Sequence, residues 1–181
     1  MKIIAGEYKG RIIDMPKDIR PTSDKVRGAL FEILKGRIEG ARFLDLYCGS
    51  GAIGIEALSR GAKKTAFIDN SYNCLRVLEG NLAKLGISKD IYDIYDKDSI
   101  KTFDLFQSSG EKFNIVFLDP PYNKDIAKNT LIKLSSCDIL TPNAVVIAEI
   151  FKKECLPEKI GVLTKIRAYK YGDTLLEFFR E

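Results

Sequence analysis

Between Arg42 and Gly54 the chain reads R-F-L-D-L-Y-C-G-S-G-A-I-G. An apolar run at Phe43, Leu44 and Leu46 ends in a turn, Gly49-Ser50-Gly51, and a helical pattern follows at Ile53, Ile55, Ala57 and Leu58. Strand, tight turn and helix in that order make the first half of a βαβ unit. Glycines let the backbone bend sharply and come within contact distance of a ligand. In an open α/β sheet ligands bind at the carboxyl ends of the strands, where this turn sits.

The P-loop pattern G-x-x-x-x-G-K-[ST] is absent. Asp45 stands four residues before Gly49. A carboxylate so near the turn suits a positively charged or hydroxyl-rich ligand better than a pyrophosphate. A Gly-rich turn that holds no ligand is the alternative.

The 181 residues fit one domain with a substantial core. No apolar run reaches membrane-spanning length, and the first ten residues, M-K-I-I-A-G-E-Y-K-G, lack a signal-peptide apolar region. A cytoplasmic location with no membrane partner is expected. Cys48, Cys74, Cys137 and Cys155 are scattered without a C-x-x-C, and there is no histidine. Reduced thiols and no metal are therefore expected, and Ser-His and Cys-His nucleophilic machinery is excluded. Chemistry must run on carboxylates, backbone groups, aromatics and a cofactor.

Charge is unevenly placed. Residues 1–42 hold ten Lys or Arg against six Asp or Glu, whereas residues 43–181 hold 19 of each. A local basic excess is a footprint for a phosphate backbone, although a basic solvated surface gives the same count.

Residues 2–15 alternate weakly around Gly6 and Gly10, which predicts a hairpin with Lys9-Gly10-Arg11 near its turn. Arg20-Pro21-Thr22-Ser23-Asp24 opens a helix carried by Val26, Leu30, Ile33 and Leu34, with Lys25 and Arg27 on other faces. A second strand, Thr65–Asp69, ends in an acid about 20 residues past the turn, where a carboxylate can accept ribose hydroxyls; capping of the helix near Ser71 is compatible with that role. A third strand over Ile91–Tyr95 leads to Asp98, read as a helix cap or as a contact to an adenine amino group. Phe113–Leu118 is near-continuously apolar, as in a central parallel strand. It ends in Asp119-Pro120-Pro121-Tyr122. Two prolines remove two N–H donors and leave carbonyls free to accept, and Tyr122 offers a stacking face. Acceptors beside an aromatic plate suit a planar group that bears an NH₂. A helix over Asp125–Leu134, a fifth strand over Asn143–Phe151 and a closing hairpin through Gly172-Asp173 complete the chain.

In that order, D-L-Y-C-G-S-G, Asp69, Asp98 and D-P-P-Y resemble the class I S-adenosylmethionine-dependent amino-methyltransferases. Together with M-K-I-I-A-G-E-Y-K-G-R and R-P-T-S-D-K-V-R-x-A-L-F, the chain is similar over nearly its whole length to the bacterial family that methylates guanine N2 in 16S ribosomal RNA. Gly28 and Glu32 depart from that family's pattern away from its motifs. The resemblance implies an α/β, Rossmann-like, seven-stranded, mostly parallel sheet with an antiparallel last strand. It implies one methyltransferase domain over 1–181: an N-terminal hairpin-and-helix extension at 1–41 that contacts RNA, and a catalytic core at 42–181. S-adenosyl-L-methionine would be held by Asp45, Gly49, Gly51, Asp69 and Asp98, with Arg20 and Thr22 near the site. Asp119 and the Pro120 carbonyl would bind the guanine NH₂ and Tyr122 would stack on the base. Lys9, Arg11, Arg20, Lys25 and Arg27 would contact 16S rRNA within an assembled or assembling small ribosomal subunit, by a monomeric enzyme. Adenine-N6 methylation of DNA or RNA, protein glutamine methylation and a non-catalytic RNA- or cofactor-binding module are the competing readings.

Overall fold

A computed structural model describes residues 1–17, 22–121 and 125–181. The strand predicted ahead of the glycine turn is β1 (Arg42–Leu46). It pairs in parallel with β2 (Lys64–Asp69) on one side and β4 (Phe113–Leu118) on the other. Beyond them lie β3 (Tyr92–Asp96) and β5 (Leu140–Phe151), both parallel to their neighbours. Then come β6 (Lys159–Ile160), β7 (Leu163–Tyr171) and β8 (Thr174–Arg180), giving, among the described residues, eight strands in the order β3-β2-β1-β4-β5-β8-β7-β6. β8 runs antiparallel to both β5 and β7. The eighth strand beyond the expected seven is β6, whose two residues pair with Leu163 and Thr164 and are too few to leave a sequence period.

Among the described residues five α-helices cover the sheet: α1 (Asp24–Ile33), α2 (Ala52–Ser59), α3 (Tyr72–Leu85), α4 (Thr102–Ser109) and α5 (Ile126–Leu134). The two-residue period of the strands sorts the core into two layers. Phe43, Phe67, Ile115 and Phe117 pack with α1, α2 and α3, and Leu44, Ile68, Val116 and Leu118 with α4 and α5. A strand covered on both faces is apolar at nearly every position, hence F-N-I-V-F-L, whose half-buried Asn114 accepts the Arg42 N–H at 2.8 Å. Ser23 caps α1 and Ser71 caps α3, each side chain accepting an N–H from three residues on. Gly86 ends α3 in the left-handed conformation. Among the described residues no helix is long and apolar enough to cross a membrane.

The expected N-terminal hairpin forms: Lys2 bridges Ile12, and backbone N–H groups of Ile3, Gly10 and Ile13 donate to the carbonyls of Arg11, Ile3 and Met1 at 3.0, 2.9 and 2.9 Å. A buried carboxylate anchors it to the core. Glu56 of α2, fully enclosed, accepts the N–H groups of Ile4 and Ala5 at 2.8 and 3.0 Å and the Arg60 Nε at 2.8 Å. Those amides are spent on the core helix rather than on a partner strand. Gly6 follows so closely that a Cβ there would lie 1.6 Å from the Ser59 carbonyl oxygen.

One expected RNA contact is corrected. Arg27 has 0% of its surface exposed. It stands four residues before Phe31, on the buried face, and donates to Asp24 at 3.0 Å and to the Lys2 carbonyl, 3.9 Å from Glu56. Its charge balances Glu56. Arg11 is exposed, but its guanidinium donates to the Leu85 and Lys84 carbonyls at 2.9 and 2.7 Å, closing the C-terminus of α3. Lys9 and Lys25 are exposed. Arg20 and Tyr122 lie outside the described residues.

Removing one partner of a buried ion pair strands the other. Arg27→Ala is expected to lower unfolding free energy by about 3 kcal/mol, read by chemical denaturation. It should leave the salt dependence of RNA binding unchanged, because Arg27 reaches no phosphate.

Candidate functional site

After β1 the chain turns to β2 on one side; after β3 it returns to β4 on the other. That reversal opens a crevice at the carboxyl ends of β1 and β4. The register pairs Leu46 with both Ile68 and Leu118, so the turn after β1, Asp69 and Asp119 end side by side. Within the turn Gly49 has φ 54° and Gly51 φ 78°, conformations that favour glycine. Tyr47, with φ 61°, adopts the same region without being glycine, and its hydroxyl is tied to Thr130 Oγ1 at 2.7 Å. Space is the second constraint. A Cβ on Gly51 would lie 2.3 Å from Leu78 Cδ1, and one on Gly54 2.3 Å from Phe67 and 2.9 Å from Asp45 Oδ2. Gly49, Gly51 and Gly54 therefore have the G-x-G-x-x-G spacing, the third glycine serving close helix–strand packing. Gly54 is a site residue that the sequence reading passed over.

Five acids lie at or near the carboxyl ends of β1 to β5, with different partners. Asp45, 1% exposed, accepts the Gly54 N–H at 2.9 Å. Burial pushes its carboxyl up to about 8 against that hydrogen bond, and the charges of Asp119 and Asp69 add to the rise. Asp69 accepts the Gly49 N–H at 2.8 Å and the Ser71 N–H at 2.9 Å, one on each oxygen. A carboxylate has about four lone-pair sites, so hydroxyls can still be accepted.

Asp98 is exposed and accepts the Ile100 and Lys101 N–H groups. It caps a turn rather than a helix, since α4 begins only at Thr102. Beside it a cavity of about 340 Å³ is lined by Lys97, Asp98, Lys101 and Leu105.

Asp119 follows β4, and the register sets Leu118 against Ala148 of β5. The strand period then puts Asp119 and Glu149 on one face, with Phe117 and Ile147. Thr22, ahead of α1, places its hydroxyl 3.5 Å from Asp119 Oδ2 and 3.3 Å from Glu149 Oε2. Its contact is with the two acids. Burial drives the Glu149 carboxyl up, and the charge of Asp119 adds to it. Burial also raises Asp119, opposed by the Thr22 hydroxyl. Pro120 is buried beside them. Glu149 was missed in the sequence reading; its signal is a lone acid in the apolar run A-V-V-I-A-E-I-F.

Chemically, the crevice offers a negative, partly dry rim next to a backbone turn open to close approach. It suits a cationic or hydroxyl-bearing ligand and an amine. Among the described residues no group of His, Cys, Asp or Glu is placed to hold a metal ion. Cys48, Cys74 and Cys137 are buried, Cys155 is exposed, and all four are free thiols.

Comparison with known proteins adds an independent line. The family described as "Conserved hypothetical protein 95" matches residues 1–180. YlbH of Bacillus subtilis is 32% identical over 183 aligned positions, covering 100% of this chain and 99% of YlbH. Ribosomal RNA small subunit methyltransferase D of Haemophilus influenzae is 34% identical over 158 positions, covering 86% of this chain and 81% of its own length. A solved structure of yhhF from Escherichia coli superposes with a TM-score of 0.86 at 30% identity, over 99% of this chain and 96% of that one.

The raised Asp45 carboxyl fixes a pH dependence. Its folded-state value lies above the ordinary 3.8, so the folded chain binds the proton more tightly than the unfolded chain across the window from 3.8 to about 8. Stability attributable to this group therefore falls as pH rises through that window and then levels. In cofactor-free protein, Asp45→Asn should flatten the decline and exceed the native chain in stability at pH 9 by roughly 1–3 kcal/mol, measured by denaturant unfolding at several pH values.

Proposed function

We propose, on the premise that this chain belongs to the "Conserved hypothetical protein 95" family, that it transfers a methyl group from S-adenosylmethionine to the exocyclic N2 amine of a guanine in 16S ribosomal RNA. The observation that carries this reading is the acceptor pair at the end of β4. Asp119 and the carbonyl of Pro120 stand beside the glycine turn, where donors are few because Pro120 and Pro121 have no N–H. The name of the Haemophilus influenzae relative supports a ribosomal RNA substrate.

Each part of the crevice then has a task. The cofactor supplies an activated sulfonium methyl. Asp45 and the Gly49–Gly51 backbone would hold its amino-acid end, Asp69 the ribose hydroxyls and Asp98 the adenine. The negative rim suits the sulfonium charge. Asp119 and the Pro120 carbonyl would accept the two N–H bonds of the guanine amine. That localises electron density on nitrogen as its lone pair forms the N–C bond and the C–S bond breaks. Positioning is the main contribution, since aligned reactants convert a bimolecular step into an effectively unimolecular one. The methylated nitrogen then releases a proton to Asp119 or to solvent. Tyr122 would stack on the base. A paired guanine cannot reach the methyl, so the target is unpaired or flipped. Lys9 and Lys25 would meet rRNA phosphates in an assembled or assembling small subunit, with the enzyme acting as a monomer in the cytoplasm.

Asp119→Ala tests the assignment. Methyl transfer to 16S rRNA should fall by about 100-fold or more while the S-adenosylmethionine Kd stays within about threefold. Titration calorimetry and label transfer read the two halves. Equal loss of both would mean that Asp119 serves the cofactor and not the amine.

A further inference from the structure

The mechanism above uses Asp119 but leaves Glu149 without a role. From the geometry we infer that Glu149 is a positioning residue that holds the proton shared by Asp119, Thr22 and Glu149, and so keeps Asp119 an ionised acceptor for the amine. The inference rests on the amino-methyltransferase reading for its purpose, though not for its proton.

A threonine hydroxyl donates one hydrogen bond and accepts others. Thr22 Oγ1 lies 3.5 Å from Asp119 Oδ2 and 3.3 Å from Glu149 Oε2. With both acids ionised, only one of these contacts has a hydrogen between its oxygens. The other sets two acceptors face to face in a site of low polarity. With both acids protonated, Asp119 competes as a donor and loses its value as an acceptor of N–H groups. One shared proton satisfies both contacts: one acid donates to Thr22, and Thr22 donates to the other.

Burial decides which acid carries it. Glu149 is 2% exposed on an interior strand between β4 and β8, with Leu176 as its cross-strand neighbour. Asp119 is half-buried at the open end of β4. Burial disfavours the charged form of both, and the less exposed Glu149 also starts from the higher ordinary value, 4.5 against 3.8. Among the described residues, the charged group acting on Glu149 is Asp119, which raises its carboxyl further. The charge of Asp119 also raises the carboxyl of Asp45 on β1, and Leu176 of β8 is apolar. The proton therefore sits on Glu149, whose carboxylic acid donates to Thr22 Oγ1. Thr22 donates to Asp119 Oδ2. Asp119 stays anionic, with lone pairs left for the guanine N–H groups. Loss of the Glu149 proton at alkaline pH would put two anions on one hydroxyl and disorder the acceptor.

Two readouts separate failure of this inference from failure of the methyltransferase reading. The first requires no turnover. In protein labelled with ¹³C at glutamate side-chain carboxyls, the Glu149 signal is assigned by its absence in Glu149→Gln. A Glu149 carboxyl that is still protonated at pH 7, and whose titration shifts in Thr22→Val, supports the inference. One ionised at pH 7, or insensitive to Thr22→Val, overturns it whether or not the protein methylates RNA. The second readout is the kcat–pH profile for guanine methylation. The native enzyme should lose about fivefold or more in kcat from pH 7 to pH 9. Glu149→Gln, whose amide donates to Thr22 at every pH, should lack that decline while keeping the KM for S-adenosylmethionine. Parallel profiles for the two proteins would assign Glu149 to packing alone and overturn the inference. If the native protein transfers no methyl group, the methyltransferase reading fails and the carboxyl titration alone decides.

Discussion

The close seating of α2 on the β1–β2 edge governs where every atom of the site falls. Gly51 and Gly54 make it possible, because any side chain at either position would collide with Leu78 or Phe67. The contact brings the Gly54 N–H onto Asp45 and so anchors the strand end to the helix start. Asp69 does the same for the turn by accepting the Gly49 N–H. Acids that flank the crevice are thus also the screws that hold its backbone. Their geometry is set before any ligand arrives, which is what pre-organisation requires.

That arrangement has an electrostatic cost. Asp45 and Glu149 are almost fully enclosed, and Asp119 lies between them at the strand ends. Buried carboxyls set close together resist ionisation, so in the ligand-free state this end of the sheet disfavours the negative charge its acids would carry in water. A ligand with a positive centre relieves it. The same physics that makes the site expensive to build makes it selective for a cation beside an amine. At the other end of α2, the opposite solution is used: Glu56 is neutralised by Arg27 and Arg60 and by two backbone amides. One helix therefore carries an ion-paired buried acid at its outer turns and faces, at its N-terminus, a buried acid held by the Gly54 N–H.

The parts legible in the sequence were those with a period or a punctuating residue. The β1 turn, the helix ended by Gly86, the apolar β4 and the hairpin at Gly172-Asp173 all lie where their patterns put them. Less legible were features that depend on distant partners. Arg27 reads as a surface cation until Glu56 is seen beneath it, and a helical period cannot announce a buried guanidinium whose partner is 29 positions away. The hairpin at residues 2–15 was legible, but its anchoring to the core was not, because the Ile4 and Ala5 amides donate to Glu56, a side chain in another element. Glu149 was hidden by its setting: in a run of buried apolar residues a single acid carries no period of its own. Only the β4–β5 register brings it to Asp119. Roles for Arg20 and Tyr122 rest on the motif alone.

The central claim is that the acceptors after β4 present the N2 amine of guanine to the methyl donor. Its most direct test is the identity of the product. Purified protein is incubated with labelled S-adenosylmethionine and unmethylated small ribosomal subunits, beside naked 16S rRNA and DNA, and the nucleic acid is digested to nucleosides and resolved by mass. Label in N2-methylguanosine from the ribosomal RNA is the predicted result. Label in N6-methyladenine, or in no nucleoside at all while the cofactor still binds, would contradict the account and move the crevice to a different acceptor.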